Sequence, residues 1–172
     1  MRTKEIQEGR SFFNPLRVIP VAVATVAAFF VALMGATATD LGPWYQSLAR
    51  PAWTAPDGLF PIVWTIIFAL ITVAGIKAWR AAPTSREAQS ILSLFALNAA
   101  LNIGWSLLFF RFQRPDMAFV ELGILWITIL LMMVSCVRYS RAAAAMLLPY
   151  LMWISYAGML NWAIVQLNGP FG

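Results

Sequence analysis

The chain has 172 residues, enough for one domain, and 61% of them are hydrophobic while only 11% are charged. A soluble domain is about half apolar and about a quarter charged, so water is excluded as the solvent for much of this surface and lipid takes its place. The net charge is +5, but the basic residues lie between apolar runs. Nucleic-acid binding, which needs a clustered basic patch, is not expected.

There is one cysteine, Cys136, and no histidine. A disulfide within the chain and a zinc site of Cys and His ligands are excluded. The usual proximal haem ligand and the usual general base are missing as well. No metal is expected, no cofactor is required, and any ligand is held without a metal bond.

Residues 1–17 form a basic extension (Arg2, Lys4, Arg10, Arg17) expected to be flexible, or to lie on an anionic leaflet through Ile6, Phe12 and Phe13. From there the gaps between charges mark five apolar runs, each near the roughly 20 residues a spanning helix needs. They are expected as helices at about 18–39, 59–80, 88–110, 117–137 and 142–167. The fold class is thus an all-α integral membrane protein, a five-helix transmembrane bundle over 18–168. The first run competes with a signal peptide, but it is long and leads into an aromatic loop, so a retained helix is preferred. Lys77, Arg80, Arg86, Arg138 and Arg141 fall on the side of the N-terminus, and Arg50, Arg111 and Arg114 on the other. This bias places the N-terminus in the cytoplasm.

The loop from Asp40 to Gly58 holds Gly42, Pro43, Pro51 and Pro56, which interrupt regular structure. It also holds Trp44, Tyr45 and Trp53. These rings suit either an aromatic belt at the membrane interface or a stiff lid over a pocket between helices.

In the third run, Asn98, Asn102 and Trp105 share one helical face, and Ala96, Ala100 and Gly104 the opposite one. Small residues at that spacing let helices approach closely, within a monomer or between two copies. Paired asparagines in hydrocarbon call for partners, which are interhelical bonds, a ligand, or both. Trp64 and Phe68 share a face of the second run. In the fifth, Pro149 is expected to kink or start the helix, and Tyr150, Trp153, Ala157 and Asn161 follow at helical spacing. Large rings beside a small residue suit a slot for a flat ligand, or else a close-packed core. Glu121 is expected to snorkel to the interface or to pair with Arg111 or Arg114. No catalytic dyad or triad stands out, so a binding protein is expected before an enzyme.

The block Trp44-Tyr45…Leu48-Ala49-Arg50-Pro51-Ala52-Trp53-Thr54-Ala55-Pro56 resembles the WY-x-x-L-x-K-P-x-W-x-P-P signature of the TspO/MBR family, the tryptophan-rich sensory and translocator proteins. The likeness continues through Phe60 to Thr65, Asn98, Asn102, Trp105, Phe109, Phe110, Trp126, Leu148 to Trp153, and Leu160-Asn161. It implies a five-helix bundle, usually a homodimer, for which the small-residue face of Ala96, Ala100 and Gly104 is the expected contact. It implies a cavity under the loop for porphyrins such as protoporphyrin IX, with sterols or synthetic drugs in some members. By matching position, the ligand-binding residues are Trp44, Tyr45, Trp64, Phe68, Asn98, Asn102, Trp105, Trp153 and Ala157. The implied role is a porphyrin sensor, buffer or transporter. The alternatives are a light-dependent porphyrin-degrading enzyme using Trp64 and Trp153, and a lipid- or sterol-binding regulator. Ala55 replaces a proline of the signature, Arg50 replaces its lysine, and Tyr156 beside Ala157 is expected to reshape the pocket. The segment from Leu160 to Asn168 lacks the terminal Lys or Arg of the proposed cholesterol motif.

Overall fold

The computed structural model describes residues 39–171 together with 26, 29–31, 33–35 and 37. The extension 1–17 lies outside the described residues, as does most of the expected first span. The described positions between 26 and 37 are helical, and Val26, Phe29, Phe30 and Leu33 are exposed.

Beyond them the chain order is α1 (Pro43–Ser47), α2 (Leu59–Ala81), α3 (Ser85–Ser106), a π-helical turn (Leu107–Arg111), α4 (Pro115–Tyr139), α5 (Arg141–Met146) and α6 (Leu148–Asn168). No strand occurs among the described residues. Among the described residues four segments are long and apolar enough to cross a membrane: α2 with 23 residues, α3 with its π turn with 27, α4 with 25, and α5 with α6 with 28. At about 1.5 Å per residue each exceeds the roughly 30 Å of hydrocarbon.

Local chemistry sets the boundaries. Helix α3 starts earlier than the charge pattern predicts because Thr84 caps it. The Thr84 Oγ1 accepts from the Glu87 backbone N–H at 3.3 Å and donates to the Glu87 carboxylate at 2.7 Å. Pro115 opens α4 and Pro149 sits in the first turn of α6, where a missing N–H costs nothing. The fifth run is therefore two helices, broken at Leu147. The loop is more regular than its prolines and glycines predict: Pro43 at the start of α1 lets a short helix form inside it.

Helix α4 is the hub. It packs along α3 and α6 and touches α2 and α5, whereas α2 meets α6 only briefly. At the α5 end, Ala74, Ala78, Ala143 and Ala144 bring backbones close around Met132 and Cys136. Gly75 is a point of close approach, since a Cβ there would sit 3.0 Å from the Phe95 ring. A second cluster joins Tyr45 and Leu48 of the loop to Phe109, Phe110, Ala118, Leu160 and Ile164. A third, of Ile67, Leu122, Leu125, Ile129, Tyr150 and Ile154, fills the middle. On the outside of α4, Val120, Ile124, Ile127, Leu131 and Val134 form an exposed apolar stripe at helical spacing. In water such a stripe would be a liability, while facing acyl chains it costs nothing.

Candidate functional site

The loop is built as a lid with three fastenings. Inside it, Arg50 reaches Asp57 at 3.1 Å and lies over the Tyr45 ring, 4.9 Å from its centroid. The Tyr45 hydroxyl accepts from Arg50 at 3.3 Å and donates to Asp57 at 3.4 Å. Burial pushes the Tyr45 hydroxyl above its ordinary range, and the Arg50 hydrogen bond pulls the other way. The same bond is the main cause that raises Arg50. At the end of α6, the Asn168 side chain grips the Ala49 backbone from both sides. Its amide donates to the carbonyl at 2.9 Å and its oxygen accepts from the N–H at 2.8 Å. In mid-α6, the Tyr156 hydroxyl accepts from the Ala55 N–H at 2.8 Å.

Beneath the lid the rings fall into two groups. Trp44 meets Phe109 edge-on at 6.0 Å, Tyr45 lies 5.6 Å from Phe110, and Trp105 touches both phenylalanines at 5.2 and 5.9 Å. The π turn brings Phe109 and Phe110 inward together, although neighbours on an α-helix point about 100° apart. In the second group Trp64 stacks on Phe68 at 5.2 Å and meets Tyr150 at 6.2 Å, and Trp153 lies 5.4 Å from Phe60 and 5.3 Å from Tyr156. Trp64, Trp105, Trp153 and Ala157 all pack against the central cluster.

The asparagines have internal partners. Tyr150, wholly buried, donates to the Asn98 oxygen at 3.1 Å and accepts from the Asn102 amide at 3.3 Å, while the Asn98 amide donates to Thr128 at 3.2 Å. Trp105 donates to Asn161 at 3.1 Å, and Asn161 donates to the Pro115 carbonyl at 2.7 Å. These bonds tie α3, α4 and α6 together. Their partners Tyr150, Thr128 and Asn161 come from distant runs, so helical spacing within the third run could not name them.

A cleft of about 310 Å³ opens between α2 and α6, lined by Val63, Ile66, Ile67, Pro149, Met152, Trp153 and Tyr156. That is the low end of the roughly 300–1,000 Å³ typical of small-molecule sites. Ile66 and Met152 on its rim are exposed, so the cleft opens toward lipid. Of the residues expected to bind ligand, only Trp153 lines it. Trp64 and Ala157 pack against the neighbouring core and Phe68 stacks on Trp64, Trp44 and Tyr45 belong to the lid, and Trp105, Asn98 and Asn102 are held in the α3–α4–α6 contacts. The aliphatic walls Val63, Ile66 and Ile67 escaped the sequence reading because every spanning helix offers such residues. Ala96 and Ala100 are exposed, and Gly104 is half-buried, its Cβ direction 3.9 Å from a Glu121 oxygen. Glu121 neither snorkels nor pairs: both oxygens are buried without a hydrogen-bond partner, and Arg114 is engaged by Asp116 at 2.6 Å. Among the described residues no group of His, Cys, Asp and Glu gathers that could hold a metal ion.

An aromatic lid latched onto a bundle of membrane-spanning helices, over cores rich in tryptophan, defines a polytopic helical membrane protein with a lidded apolar interior. Residues 19–167 match the model of the TspO/MBR family, and the chain belongs to that family. It is 38% identical over 154 residues to the tryptophan-rich protein TspO of Chlorobaculum tepidum, covering 88% of this chain and 98% of that one. It is 29% identical to protein CrtK of Rhodobacter capsulatus, over 86% of this chain and 95% of that one. It is also similar to the translocator protein of Bos taurus, at 32% identity over 73% of this chain and 75% of that one.

Proposed function

We propose that this chain is a membrane-embedded binding protein for tetrapyrroles of the protoporphyrin IX kind, acting as a sensor, buffer or transporter. The observation that carries the reading is the lipid-facing apolar cleft with Trp153 and Tyr156 in its wall, and the aromatic loop bonded to that wall through Tyr156. The macrocycle of a metal-free porphyrin is flat and apolar, with its two propionates at one edge, so ring contact and burial bind the macrocycle without an axial ligand, in keeping with a chain that has no histidine. The sensory and translocator names of the relatives agree with this role. In this reading the expected first span completes five crossings with the N-terminus in the cytoplasm, and a second copy docks on Ala96, Ala100 and Gly104.

Spectral titration of the purified protein with protoporphyrin IX tests the proposal. Saturable binding is expected, weakened about tenfold when Trp64 and Trp153 are both replaced by Phe. Absence of saturation, or unchanged affinity in the double variant, would refute the site. A second reading, light-dependent porphyrin breakdown, is favoured by Trp64 and Trp153 packing against one apolar cluster. It requires that illumination yield product only while both tryptophans are present. Bleaching at the rate of free dye in detergent rejects it.

A further inference from the structure

We infer that Tyr156 is a specificity-determining gate, whose ring walls the α2–α6 cleft and whose hydroxyl holds the lid shut, so that filling the cleft releases the lid. The ligand's identity rests on the reading above; the coupling itself does not. Three observations meet at this side chain. Its ring lines the cleft beside Trp153, from which it stands 5.3 Å at an interplanar angle of 35°. Its hydroxyl accepts from the Ala55 N–H at 2.8 Å, across 101 residues of sequence. Its outer edge meets Trp53 at 5.9 Å, and Trp53 is exposed.

The segment held in this way is closed on itself. Thr54 closes a turn on the Pro51 carbonyl with both its N–H, at 3.0 Å, and its hydroxyl, at 2.7 Å. Residues 51–54 are therefore stiff in themselves. The Arg50–Asp57 pair joins the two ends of the segment and Asn168 grips Ala49 just before it, and neither contact uses Tyr156. A flat ring entering between Val63 and Trp153 must swing the whole Tyr156 side chain about its Cα–Cβ bond, since rotation of the ring about its own axis leaves the hydroxyl in place. That swing withdraws the acceptor from Ala55, and a backbone N–H without a partner costs free energy unless water reaches it. Ligands small enough to leave Tyr156 in place fill the cleft with the lid closed, and larger flat ones open it. One side chain thereby sorts ligands by size and reports occupancy at the membrane surface.

Amide hydrogen exchange on the whole protein in detergent, followed on the peptide carrying Ala55, tests this. In ligand-free Tyr156→Phe, exchange there should quicken roughly fivefold, the loss of one hydrogen bond, while the peptide carrying Ala49 is unchanged. Asn168→Ala should do the reverse. No change at Ala55 in Tyr156→Phe, or the same rise over both peptides in both variants, would overturn the latch. Saturating protoporphyrin IX should quicken exchange at Ala55 in the unmodified protein and add nothing in Tyr156→Phe; protection of Ala55 by the ligand would overturn the coupling. If the porphyrin does not bind at all, the tetrapyrrole reading falls, while the ligand-free comparison still decides the latch.

Discussion

Among single side chains, Glu121 and Tyr150 show how one physical rule acts in opposite directions. Tyr150 is buried with its hydroxyl bonded to two asparagines, and Glu121 has two buried oxygens bonded to nothing. Removing one member of a satisfied network strands the others, so Tyr150→Phe should lower the thermal midpoint in detergent, by about 1–3 kcal/mol of stability. Glu121→Leu should raise it, because an unpartnered buried carboxyl carries its desolvation cost without return; a lowered midpoint would count against this account. Tyr45 gives a pH effect. Its folded-state proton affinity lies above the ordinary 10.0. The stability linked to it is therefore intact below that pH and is lost as pH climbs through the raised value. Alkaline unfolding curves of Tyr45→Phe should be flatter in that range than those of the unmodified protein.

At the scale of elements, the lid is held by α6 more than by itself. The Arg50–Asp57 pair is partly exposed, with side chains 26% and 38% accessible, and exposed pairs contribute about 1 kcal/mol or less. Asp57→Asn should accordingly leave the thermal midpoint almost unchanged. Asn168, with two bonds to Ala49 and a third to the Ile164 carbonyl, should matter more to the lid when replaced. The π turn at Leu107–Arg111 serves the same end, because it packs both phenylalanines against Tyr45 and Leu48 of the lid.

For the molecule as a whole, the charge gaps predicted the described spans to within a few residues, and the class of protein with them. The exposed Ala96 and Ala100 leave a smooth strip on α3. If a second copy docks there, Ala100→Phe should shift chemical cross-linking from dimer to monomer while leaving the single chain folded. Gly104→Ala should be tolerated, since its Cβ finds only ordinary contact.

By itself the sequence determined the solvent, the helices and the aromatic inventory, for these follow from composition and from periodicity along one chain. The family was legible too, in the run from Trp44 to Pro56. What only the tertiary structure decided are the partners. Asn98 and Asn102 could face a ligand or a neighbouring helix, and it took Tyr150, 52 residues from Asn98, to satisfy them. Glu121 was expected to reach an arginine, but α3 packs over it and Arg114 turns to Asp116. Tyr156 read as a bulky neighbour of Ala157, and the structure places its ring in the wall of the cleft and its hydroxyl on the Ala55 N–H. Such pairings join residues far apart in the chain, and their distances are set by how helices cross, which the spacing within any one helix does not encode.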